Sequence, residues 1–184
     1  MGLKVGVELG VQRAHYAADM LSKWPSCTRY YLVDIWRQQV NYEDLANVDN
    51  KEQEKILQEA KANVARFGSK VVFLRNFTYE AAKAITEPLD FVYVDARHDY
   101  CGTYEDIELF WPKLRNGGVM AGHDYLEAPQ VKTISNQNWA KCHNGTEHQG
   151  AVKGAVDDFF ARLGLPVHVT YQDPPWSSWI VLKP

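Results

Sequence analysis

A chain of 184 residues with 46% hydrophobic and 23% charged side chains carries enough apolar material for one buried core, and reads as a single domain over 1–184. A formal net charge of -3, with no run of Lys or Arg, argues against a protein that tracks a nucleic-acid backbone, and no apolar run is long enough to span a bilayer. Cys27, Cys101 and Cys142 stand in no paired spacing and read as reduced thiols; with no signal-peptide pattern at the N-terminus, a cytoplasmic protein is expected. Gly6 stands where a myristoylation motif needs Ser or Thr. Asn76-Phe77-Thr78 and Asn144-Gly145-Thr146 match the glycosylation triplet, which carries little weight without a secretion signal.

In chain order, Lys4 to Gly10 is a short apolar, β-branched run with Glu8 as its only acid, the pattern of a buried strand. A helix follows with Ala14, Ala17, Ala18 and Leu21 inward, stopped by Pro25. Tyr30 to Trp36 is a second strand, ending in Asp34-Ile35-Trp36. After a polar stretch around Gln38 to Asn50, a helix over Lys51 to Phe67 buries Ile56, Leu57, Ala60, Val64 and Phe67 and is capped by Gly68. Lys70 to Arg75 is the third strand, Thr78 to Ile85 a short helix and Leu89 to Asp95 the fourth strand. Thr103, with Asp106 three residues on, is read as the cap of the next helix, whose stripe is Tyr104, Ile107, Trp111 and Leu114; Pro112 ends it. Gly117-Gly118 turns the chain into a fifth strand, Val119 to Gly122. Leu126 to Gln149 shows no period and reads as a long functional or mobile loop. A helix over Ala151 to Leu163 precedes a hairpin of Val167 to Tyr171 and Trp179 to Leu182 around Asp173-Pro174-Pro175, so at least one closing strand is antiparallel. Strands alternating with helices imply a mostly parallel sheet covered on both faces.

In this fold class the first strand-to-helix turn grips nucleotide-like ligands. Here it is Glu8-Leu9-Gly10-Val11-Gln12-Arg13-Ala14, which lacks the glycine fingerprint for a pyrophosphate and disfavours a nicotinamide oxidoreductase. Asp34, at the end of the second strand, is placed to accept hydrogen bonds from ribose hydroxyls. The stretch Leu89 to Tyr125 holds two strand ends that each carry an acid and a histidine: Asp95 with His98, and Asp124 with His123. In a parallel sheet all four reach one edge. Cys142, His143 and His148 match no standard zinc spacing. Tyr100, Tyr125, Trp139 and Trp176 read either as the wall of an acceptor pocket or as ordinary loop packing.

Glu8-x-Gly10, Asp34, the Asn76-Phe77-Thr78 turn, Asp95-x-x-His98 and Gly117-Gly118 followed by Gly122-His123-Asp124-Tyr125 resemble class I S-adenosylmethionine-dependent methyltransferases. The most similar group is the small-molecule branch of macrocin O-methyltransferase-like enzymes, with catechol O-methyltransferase more distant. The resemblance implies a Rossmann-like α/β three-layer sandwich with a seven-stranded sheet, mostly parallel, whose last strand is antiparallel. It implies S-adenosylmethionine as cofactor, with Glu8 and Gly10 by its methionine part, Asp34 at the ribose, Trp36 near the adenine, and Phe77 and Thr78 framing that ring. It makes Asp95 a metal ligand and cofactor neighbour, puts His98 in the position of the base, and makes His123 and Asp124 the other ligands of a divalent metal. A histidine there disfavours magnesium and favours manganese, iron or zinc, or no metal. Family members carry a helix before the first strand, so part of the lid over a small-molecule acceptor is expected to be missing here or supplied by a partner; a homo-oligomer is left open. The rival reading is a relative of the fold that binds nucleosides without catalysis, in which His98 is structural.

Overall fold

The computed structural model describes residues 2–171 and 174–184. Its elements, in chain order, are β1 (Val5–Leu9), α1 (His15–Lys23), β2 (Arg29–Asp34), α2 (Asn50–Val64), a 3-10 segment (Ala65–Lys70), β3 (Val71–Arg75), α3 (Thr78–Ala84) and β4 (Leu89–Val94). There follow α4 (Tyr100–Phe110), β5 (Leu114–Gly122), α5 (Ala128–Ser135), α6 (Ala151–Arg162), β6 (His168–Val169) and β7 (Trp179–Leu182). The seven strands form one sheet in the order β3-β2-β1-β4-β5-β7-β6. β1 to β5 are parallel; β7 runs antiparallel to β5 and β6 antiparallel to β7, as the expected α/β architecture requires.

Alternation along β4 shows how the layers are made. Val92 and Val94 face a core shared with α3, α4 and α6, while Phe91 and Tyr93 face a core shared with α1 and α2. All six β4 residues are buried, which is why the strand reads as a continuous apolar run. At the opposite end from the cavity described below, the buried Asp90 carboxylate accepts from the Lys4 and Val5 amides and pairs with Arg115. Among the described residues no helix is long and apolar enough to cross a membrane.

The structure departs from the sequence reading in five places. α4 begins at Tyr100 because Asp99 caps it, accepting from the Gly102 amide at 3.0 Å. Thr103 therefore lies inside the helix, where its hydroxyl donates to the Arg97 carbonyl, and Asp106 is buried on the inner face with Thr103, Ile107 and Phe110. β5 begins at Leu114; its register against β4 shifts between Leu89 and Phe91, and the two glycines sit in that irregularity, Gly117 at φ +76°. The loop from Leu126 contains α5, whose signals were Pro129 at its start and the reciprocal Glu127–Gln130 capping box. Among the described residues the closing hairpin pairs only His168 and Val169 with β7, and Asp173 of its expected turn lies outside them. The cysteine reading is also overturned: Cys101 and Cys142, 41 residues apart, form a disulfide, and only Cys27 is a free thiol. Spacing along the chain says nothing of two sulfurs that tertiary folding brings together.

Candidate functional site

The C-terminal ends of the parallel strands meet at one edge, and the strand order reverses between β1 and β4. A cavity of about 630 Å³ opens there, a size usual for small-molecule sites. Its floor is the first turn. Gly10 adopts φ +81°, and a Cβ at that position would lie 1.9 Å from the Asp95 carbonyl oxygen. β1 and β4 close on each other there through Asp95 N to Leu9 O at 2.7 Å, while Gly10 N donates to Val33 O at 2.9 Å. No side chain fits between this turn and the end of β4, so at Gly10 the cavity wall is bare backbone.

Four non-glycine residues at this edge hold left-handed backbone: Gln12 (φ 49°), Ala14 (φ 58°), Trp36 (φ 41°) and Asp124 (φ 57°). Each costs on the order of 1 kcal/mol, and such residues concentrate where a site must be shaped. Asp34 stabilises the turn: one carboxylate oxygen accepts from the Val11 and Gln12 amides at 2.9 Å each, the other from the Trp36 amide at 2.8 Å.

Glu8, Gly10, Asp34, Phe77, Thr78, Asp95, His98 and Asp124 all line the cavity. Trp36 does not. Its ring is buried against Phe73 with Nε1 donating to the Gln12 carbonyl, so the wall at that point is Ile35 and Arg37. Tyr100, Tyr125, Trp139 and Trp176 lie outside the lining as well. Tyr100 donates to Asp158, Tyr125 pairs with Asp157, and the Trp139 ring covers His98 at 4.3 Å between centroids and touches Trp176.

His98 is the centre of the charged group. Its Nε2 lies 3.3 Å from Asp95 Oδ1 and 3.3 Å from Asp124 Oδ2, while Nδ1 lies 3.0 Å from Asp44 Oδ2 and 3.2 Å from the Tyr42 hydroxyl. Burial opposes its charge, but hydrogen bonds to Asp44 and Asp95 and the charges of Asp124 and Asp44 outweigh it and hold the ring's pKa well above the usual histidine value. Burial, with the charge of Asp124, raises Asp95 above the usual carboxyl range although His98 pulls it down. Burial likewise raises the Asp44 carboxyl, but its bonds to His98 win and leave it lowered. Glu8 is raised by burial and by the charge of Asp95, and the Tyr30 hydroxyl donates to it at 3.3 Å. On the cavity's far wall Asp106 is pushed up to about 7 by burial, against the Thr78 side chain that favours its charge.

Oxygen and nitrogen atoms of Asp95, His98 and Asp124 lie within 4.8 Å of one another, close enough to share one ion. His123, expected in that set, is not part of it; its Nδ1 lies 3.0 Å from the other oxygen of Asp124. Sequence reasoning missed Tyr42, Asp44 and Arg97, because the polar stretch that carries the first two has no period that announces a site. Arg97 bonds Asp99, Gln39 and the Asn41 carbonyl and lies over the Tyr42 ring at 4.6 Å, tying that stretch to the start of α4.

Comparison with known proteins bears on the fold. The chain is similar to a Staphylococcus aureus protein assigned as a caffeoyl-CoA O-methyltransferase, with 15% identity and a TM-score of 0.68 over 98% of this chain and 77% of that one. It is similar to an O-methyltransferase from Bacillus cereus solved in complex with SAH, with 15% identity and a TM-score of 0.63 over 99% and 75%. An rRNA methylase from Streptococcus thermophilus gives 14% identity and a TM-score of 0.63 over 99% and 87%. At these identities the likeness is one of fold. No curated protein matches the chain. A family model described as a methyltransferase domain matches residues 3–125, from before β1 to past the end of β5, and with that match the chain belongs to the methyltransferase domain family.

Proposed function

We propose that this chain transfers a methyl group from S-adenosylmethionine to a small-molecule acceptor, at oxygen. The observation that carries the reading is a single cavity with a backbone cradle at Gly10 on one side and the Asp95–His98–Asp124 group on the other. Glu8 and Gly10 would hold the methionine part, Asp34 the ribose, and Phe77 and Thr78 the adenine, with Ile35 in place of Trp36 against that ring. The cofactor, when bound, supplies a methyl already activated on sulfonium sulfur, so the protein's task is to align an acceptor oxygen and take its proton. Burial favours the neutral form of Glu8, which removes a charge that would otherwise sit beside Asp95.

At the reacting end we assign Asp95 and His98 complementary roles. The three surrounding carboxylates favour the protonated ring of His98, so its Nε2 would donate to and hold the acceptor oxygen. Asp95, raised above the usual carboxyl range, receives the hydroxyl proton. This revises the expectation that His98 is the base. A second reading is favoured by the closeness of the three side chains: two carboxylate oxygens and one imidazole nitrogen suit manganese, iron or zinc better than magnesium. A cation there would supply a Lewis acid in place of proton transfer to Asp95. Affinity to the macrocin-like branch rests on the strand-end motifs alone.

Calorimetry with S-adenosylhomocysteine tests the cofactor: binding in the micromolar range is expected, and neither heat nor a thermal shift would end the reading. Elemental analysis after dialysis, with and without chelator, tests the cation; absence of any metal together with chelator-resistant methyl transfer would remove the second reading.

A further inference from the structure

We propose that Asp44 is a positioning residue for His98, holding the imidazole so that Nε2 faces Asp95 and Asp124; this rests on the methyl-transfer reading, in which that nitrogen meets the acceptor. The two oxygens of Asp44 divide the work. Oδ1 accepts from the Ala46 amide at 2.7 Å and fixes the plane of the carboxylate, while Oδ2 lies 3.0 Å from His98 Nδ1. The Asp44 and His98 side chains are 6% and 12% exposed, so the contact is screened from bulk water. With Nδ1 held by Asp44, and the Trp139 ring covering the imidazole, Nε2 is left 3.3 Å from each of the other two carboxylates. A ring turned about its own axis by half would lose the Asp44 bond.

The surrounding loop is built to deliver that carboxylate. Asn47 donates its side-chain amide to the Gln39 and Tyr42 carbonyls, and Gln53 donates to the Ala46 carbonyl from α2. On the other side Leu45 N donates to Gln137, Glu43 pairs with Asn138 and Asn41 donates to the His143 carbonyl. The Cys101–Cys142 disulfide then ties the loop over residues 136–149 to α4, four residues past Arg97 in the chain. Asp44 is thus fixed from both loops, which is what orienting another side chain requires.

The test uses the full chain, isotope-labelled, as wild type, Asp44→Asn and Asp44→Ala. Asp44→Asn keeps an oxygen for the Ala46 amide but turns an NH2 group toward Nδ1, separating the turn from the ring contact. In Asp44→Asn we expect the His98 ring signals to move, with Nδ1 proton exchange at least about tenfold faster. The Leu45, Ala46 and Asn47 amides should keep their exchange protection. In Asp44→Ala both sets should change. Unmoved His98 ring signals in both variants, or movement only where the loop amides also lose protection, would overturn the proposal in favour of a merely structural contact. S-adenosylhomocysteine calorimetry on the same samples separates the two ideas: no binding by wild type would remove the methyl-transfer reading and leave the ring result standing as evidence on orientation alone.

Discussion

The two sides of the cavity are built differently. The side formed by Gly10, Asp34 and Phe77 stands on strand ends and backbone amides, where the parallel ladder determines every position. The side formed by residues 38–49 and 136–149 is loop upon loop, held by side-chain bonds to carbonyls and by one disulfide. A strand-end site is rigid because moving it breaks a sheet; a loop site is set by a handful of individual bonds. The first side should therefore resist local change, and the second should yield to it bond by bond.

The sharpest way to break the rigid side is Gly10→Ala. A Cβ placed 1.9 Å from a backbone oxygen, at a φ of +81°, has no room to relax, and a loss of about 4 kcal/mol or more is expected, with cofactor binding abolished. Chemical denaturation measures it; a near-neutral result would mean that β1 and β4 are not packed as described.

Asp106→Asn comes next. Because the folded carboxyl titrates at about 7, above its ordinary value of 3.8, the folded state holds a proton that the unfolded chain releases first. Stability should therefore fall as pH rises from about 4 to about 7 and stay lowered above that. The amide variant should escape this fall. Its advantage over wild type should grow toward an upper limit of roughly 4 kcal/mol at high pH, at about 1.4 kcal/mol per pKa unit, in denaturation curves taken at several pH values. An advantage that does not change with pH would contradict the buried neutral acid.

On the loop side, replacing Cys101 and Cys142 by serine should cost on the order of 2–4 kcal/mol. Hydrogen exchange should localise the loosening to residues 136–149 and 38–49 and leave β1 to β3 protected. Uniform loosening would erase the distinction between the two sides. Smallest of all, His123→Ala should weaken any divalent-cation binding less than His98→Ala does, since His98 and not His123 shares the 4.8 Å group; the reverse order, by calorimetry with manganese, would restore His123 as the ligand.

What the sequence disclosed follows the same division. Strands buried on both faces announce themselves as apolar runs, and β1, β2 and β4 place Glu8, Asp34 and Asp95 by simple alternation and position. The loop side carries no such period. Asp44 meets His98 across 54 residues and Cys101 meets Cys142 across 41, and no local pattern encodes either meeting. Trp36 shows the remaining limit: its neighbours Ile35 and Arg37 line the cavity, but a backbone in the left-handed region turns its ring into the core, and residue type at a strand end does not reveal that turn.

One cavity joins the Gly10 turn to the His98 group, and a bound cofactor would have to span the two. A crystal structure with S-adenosylhomocysteine bound tests it most directly. Adenine is expected against Ile35, Phe77 and Thr78, ribose at Asp34, and the sulfur facing Asp95 and His98 across open space; a ligand bound elsewhere, or with its sulfur turned away from Asp95, would rule this arrangement out.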